Sequence, residues 1–85
     1  MKMYVAQGWE STEVRLYTQK ENAIEDFKEM IEVAKADPGL FLMSVDVEYD
    51  KEDRNYIFLM ATAMNLEKLE PMFASVELIE VEDAL

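Results

Sequence analysis

The chain contains no cysteine and no histidine. Without cysteine there is no disulfide framework and no thiolate zinc site. Without histidine there is no Ser-His-Asp or Cys-His catalysis, no imidazole metal ligand and no histidine proton shuttle. Glycine and proline are scarce, with two of each among 85 residues, so flexible connections are few. The longest apolar run, Tyr56 to Met64, is interrupted by Thr62 and falls short of the roughly 18 residues that cross a bilayer. Met1 to Gly8 lacks the apolar stretch of a secretory signal. These absences predict a cytoplasmic protein that does not enter a membrane.

Cations are scarce too. Eight Lys+Arg stand against 19 Asp+Glu, a formal net charge of -11. A surface of that sign repels phosphate, which argues against direct nucleic-acid binding. The hydrophobic fraction is nevertheless 51%, which excludes a disordered acidic tail. The length fits one compact domain, residues 1–85, burying about 60% of its unfolded surface.

Met3 to Gln7 reads as a short strand and Gly8 to Thr12 as a turn. Glu13 to Tyr17 alternates polar and apolar residues, which suits a half-buried strand paired with the first. Thr18-Gln19-Lys20-Glu21 has the form of a capping box, predicting a helix from Gln19 to Ala36. Within it Ile24, Phe27, Ile31 and Ala34 recur at helical spacing. Asp37-Pro38-Gly39 ends it, because the residue before proline is pushed out of the helical region.

Leu40 to Tyr49 reads as a strand with Phe41, Met43, Val45, Val47 and Tyr49 on one face. Asp50 to Arg54 is a charged hairpin loop. Asn55 to Met64 is the return strand, with Tyr56, Phe58, Met60 and Met64 on one face and Ile57, Leu59, Ala61 and Ala63 on the other. Asn65 is a good N-cap for a second helix over Leu66 to Ser75, which Pro71 would kink or shorten. Val76 to Val81 would be the last strand.

The fold class is therefore α+β. It has an antiparallel or mixed sheet of about five strands and two helices on one face, in the order ββαββαβ. From the second strand onward this order resembles the ferredoxin-like split-βαβ arrangement. Such a sheet leaves one face uncovered by its own helices. A second copy of the chain is one candidate cover, with Phe41, Met43, Val45, Tyr56, Phe58 and Met60 forming the dimer face.

No Gly-rich phosphate loop and no nucleophile elbow is present, and Ser11, Ser44 and Ser75 have no histidine to activate them. Asp46, Glu48, Asp50 and Glu52 alternate as cation ligands would. An EF-hand loop read from Asp46 needs glycine and glutamate where Lys51 and Ile57 stand. Every acid falls at a position expected to be exposed, where it is a poor general acid or base. The expectation is a protein with no enzymatic activity, no cofactor and no metal. Trp9, the only tryptophan, is expected to fold back over the sheet edge.

The acids themselves ask for an account, since solubility of a small domain needs a net charge of only about 2–8 in magnitude. Glu25, Glu29 and Glu32 run along the first helix, Asp50, Glu52 and Asp53 sit in the loop, and Glu80, Glu82 and Asp83 close the chain. In size and charge the chain is similar to small phage-encoded inhibitors that mimic DNA, a similarity of composition carried by no motif. These nine acids are the candidate contacts for a partner protein with a basic surface, through charge-assisted pairs with its Arg and Lys. Acids four apart on a helix lie about 6 Å apart along the axis, whereas B-DNA offers a phosphate every ~3.4 Å per strand. Mimicry therefore needs the helix, loop and C-terminal acids on one surface. The alternative function is a dimeric regulatory or small-ligand-binding module that uses the apolar sheet face.

Overall fold

Apolar side chains at every second position drive five segments into strands, and one stretch with apolar residues three and four apart winds into the only helix among the described residues. The computed structural model describes residues 2–10, 13–53 and 55–80. In chain order the elements are β1 (Lys2–Gln7), β2 (Val14–Tyr17), α1 (Lys20–Ala36), β3 (Leu40–Tyr49), β4 (Ile57–Asn65) and β5 (Glu70–Glu80). The strands form one sheet in the order β2-β1-β5-β4-β3. Every pairing is antiparallel. Among the described residues no helix is long and apolar enough to cross a membrane.

Helix α1 covers one face of the sheet. It buries Ala23, Phe27 and Met30 against Tyr4, Ala6, Ile57, Leu59, Ala61, Ala74 and Val76, and Ala34 is buried as well. Alanine at three of these seven sheet positions leaves room for the Phe27 and Met30 side chains. Trp9 packs on this core and donates its indole N–H to the Met30 carbonyl at 2.9 Å. The helix begins at Gln19 with no side-chain cap bond, so Thr18 does not serve as the cap that the box motif suggested. Its end follows the motif. Asp37 is extended (φ -86, ψ 115) before Pro38, as a pre-proline residue must be. Its carboxylate accepts the Gly39 N–H at 2.8 Å. A β-carbon at Gly39 would stand 3.2 Å from that oxygen, so the close approach suits glycine.

The second helix is absent, and with it the ferredoxin-like order. Asn65 does what an N-cap does: its side-chain oxygen accepts the N–H groups of Glu67 and Lys68, each at 3.0 Å. The turn stops after one round, because Leu69 enters the left-handed region at φ 55 and donates to the Asn65 carbonyl at 2.8 Å. The chain then runs back as β5 beside β4. Pro71 is tolerated there because β1 pairs only with the stretch Ser75–Glu80. The first residues of β5 are thus an edge on that side, where a missing N–H costs little.

A second departure concerns β3. Its bounds match expectation, but its register with β4 shifts between Leu42 and Ser44, so Met43 forms a bulge. The bulge reverses the alternation. Leu42, Val45, Val47 and Tyr49 all lie on the helix side, opposite Ala63, Ala61, Leu59 and Ile57, while Phe41 lies on the other side opposite Met64. Helix α1 packs against β3 but leaves much of this edge strand uncovered, and Val45, Val47 and Tyr49 stay exposed.

Leu69 is the only non-glycine residue among those described with positive φ. The left-handed region costs an L residue about 1–2 kcal/mol, and the greater unfolded freedom of glycine offsets roughly 0.5–1 kcal/mol of the relief. Leu69→Gly is therefore expected to add about 0.5–1 kcal/mol of stability and raise the thermal midpoint by about 2–8 °C. Leu69→Ala, still left-handed, should not. A lower midpoint for Leu69→Gly in a thermal melt would show that contacts of the leucine outweigh its strain.

Candidate functional site

The sheet has a second face with no helix on it among the described residues. Strand β4 shows the contrast directly. Ile57, Leu59, Ala61 and Ala63 are buried beneath α1, and the alternating Phe58, Met60, Thr62 and Met64 are only half-buried. Residues paired across antiparallel strands share a face, so the registers define the open side row by row. One row reads Leu16, Val5, Glu77, Phe58, Glu48, and the next reads Val14, Gln7, Ser75, Met60, Asp46. Below them lie Phe73, Thr62 and Ser44, then Pro71, Met64 and Phe41. Met3 and Ile79 close the upper end. Val14, Leu16, Phe41 and Phe73 are 50–61% exposed. Large apolar side chains grouped on an uncovered face make it the candidate interaction site.

The charges on this face share one sign. Asp46, Glu48 and Glu77 project from it and are exposed, whereas Lys2 and Arg15 alternate onto the helix side with Tyr4 and Ala6. Sequence reasoning missed these three acids as a group. The available signal was the period-two pattern Met72, Ala74, Val76, Leu78 against Phe73, Ser75, Glu77, Ile79. It was masked by the helical spacing of Leu66, Leu69 and Phe73 after a good N-cap.

The acids singled out in the sequence lie elsewhere. Glu25, Glu29 and Glu32 are exposed on the outer side of α1, with Lys35 paired to Glu32 at 3.5 Å. In the loop, Asp50 turns its carboxylate inward to accept the N–H groups of Glu52 and Asp53 at 2.9 and 3.4 Å. Asp53 pairs with Lys2 at 3.0 Å. That hydrogen bond, with another from the Asn55 N–H, holds the Asp53 carboxyl below its ordinary value. Glu80 ends β5 opposite Lys2, and Glu82 and Asp83 lie outside the described residues. The helix stripe and the open-face acids therefore stand on opposite sides of the sheet. Of the expected dimer face, Phe41, Phe58 and Met60 share the open side, Tyr56 immediately precedes β4, Met43 is the bulge, and Val45 is on the helix side.

Among the described residues one acid is buried, contrary to expectation. Asp26 is 6% exposed. One of its oxygens accepts the Tyr17 hydroxyl at 2.7 Å and the other meets the Arg15 guanidinium at 2.9 Å. This cluster ties α1 to β2. Both oxygens are occupied by partners, as a structural carboxylate requires. An open cleft of about 420 Å³ lies nearby, lined by Trp9, Glu13, Arg15, Met30, Asp37 and others. Among the described residues no group of three or more acids converges as metal ligands. Comparison with known proteins found no matching family model, no matching curated protein and no matching solved structure.

The Asp26 hydrogen bond, followed by burial, raises the Tyr17 pKa above its ordinary 10.0. Burial, then the charges of Asp53 and Glu21, raises Tyr4 as well. A group with a raised folded pKa contributes fully below its unfolded value, and that contribution is lost as pH climbs through the folded one. Stability should therefore fall above about pH 10. Tyr17→Phe removes one of the two groups. It should cost about 1 kcal/mol at neutral pH and make the alkaline fall shallower, as measured by urea unfolding from about pH 9 to about pH 11.5. An unchanged alkaline slope would remove Tyr17 from the account.

Proposed function

We propose that the chain is a non-catalytic binding protein that holds a partner protein with a basic surface against the open face of its sheet. The observation that supports this reading is the unequal treatment of the two faces. Helix α1 covers the centre of one, leaving Val45, Val47 and Tyr49 exposed at its β3 edge, while the other presents Phe41, Phe58, Met60 and Phe73 with no described helix above them. Apolar side chains supply affinity by leaving water. The three carboxylates around them select a cationic partner and speed its approach. The helix acids keep the molecule soluble and add to its long-range field.

Tagged protein incubated with cell lysate, at low and high salt, tests the site. Phe58→Asp combined with Phe73→Asp should weaken retention of the partner on the order of thirtyfold, the loss typical of interface anchors. The combined Glu25→Lys, Glu29→Lys and Glu32→Lys variant should retain it. Circular dichroism must show both variants folded. The reverse pattern would move the function to the outer face of α1.

A further inference from the structure

We infer that the occupant of the open face is an amphipathic helix with basic flanks, laid along β4. The inference rests on the preceding reading that this face is the docking surface, and it names the chemistry of what docks.

Charge comes first. The face carries Asp46, Glu48 and Glu77 and, among the described residues in its paired rows, no lysine or arginine. Burying carboxylates without cations is strongly unfavourable, so the occupant must bring them. The same reasoning excludes an anionic lipid surface.

A second copy of the chain fails the same test. Stacking two open faces would enclose the acids of both. Pairing β3 with another β3 fares no better. Paired residues must share a face, so the regular stretch Ser44–Tyr49 brings together Asp46 with Asp46, Asp46 with Glu48, Glu48 with Glu48, or Glu48 with Asp50. The register centred on Val45 avoids this but runs into the bulge at Met43. Edge strands are commonly protected from self-pairing by such charges and bulges.

Shape then selects a helix. Glu48 and Glu77 lie in one row on either side of Phe58. Two strand spacings separate them, about 10 Å, close to the 10–12 Å diameter of a helix with its side chains. A helix above Phe58 would place a Lys or Arg on each flank within reach of a carboxylate, with Asp46 a further acceptor on the β3 side. From Phe58 to Met64 the row of β4 side chains is about 20 Å long, the length of roughly 13 helical residues. Phe41 and Phe73 flank its lower end. The sheet already carries one helix on its other face, so a second completes a three-layer packing.

Three labelled synthetic peptides test this by fluorescence anisotropy: leucine and lysine at helical spacing, the same composition in strict alternation, and a leucine-glutamate helix. The wild-type protein should bind the helical Leu-Lys peptide at least tenfold more tightly than its alternating isomer. Glu48→Lys with Glu77→Lys should lose that peptide and gain the Leu-Glu helix. Glu25→Lys with Glu29→Lys, an equal change of charge, should keep it. Equal losses in the two variants would mean attraction by net charge alone and would overturn the inference. No preference for helical over alternating spacing would also overturn it. If Phe58→Asp with Phe73→Asp still abolished lysate binding, the docking face would stand without the helix. A wild-type dimer seen by light scattering and broken by Phe58→Asp would put a second copy on the face instead.

Discussion

Among the described residues, one helix must serve a sheet with two faces. Everything else in the molecule follows from that shortage. The chain spends its best helical segment on one side, where Ile57, Ala61, Ala63, Ala74 and Val76 are fully shielded from water. Among the described residues there is no second helix for the other side, because the segment that could have formed one becomes β5. The apolar side chains of the open face therefore stay in water, at a free-energy cost a monomer would otherwise avoid.

Small polar devices hold this arrangement in place. The buried Asp26 carboxylate, gripped by Tyr17 and Arg15, fixes α1 against the short outer strand β2. Trp9 reaches over the end of β1 to the helix backbone. The Tyr4 hydroxyl donates to the Asn55 carbonyl at 2.6 Å, and Lys2 binds Asp53, joining the first strand to the loop before β4. Each contact lies on the helix side or at an end of the sheet. None of them takes up the side chains of the open face.

Acidity has a double effect in this setting. The carboxylates on the outer side of α1 face solvent and repel one another at some cost to stability. The three on the open face stand among apolar side chains. On the proposed reading, they disfavour self-association and make cationic character a condition for docking. A flat apolar sheet face without them would invite indiscriminate pairing.

Much of this was legible in the residues. The boundaries of β3, the helix end at Asp37-Pro38 and the α+β class follow from local periodicity and from proline's fixed geometry, which act within a few residues. The absence of cysteine and histidine, and the excess of acids, limited the chemistry before any fold was known. Three matters depended on contacts far along the chain. Asn65 looked like a helix cap and behaves as one, but pairing with β4 recruited the residues after Leu69 into a strand. The bulge at Met43 moved Val45 to the helix side, and no local pattern marks such a shift. Asp26 gained its partners from β2. The sequence by itself determined the types of the first five elements, the charge and the existence of an excess apolar surface. Only the tertiary structure decided which side chains share that surface, because strand register is set by pairing between distant segments and a one-residue slip exchanges the two faces.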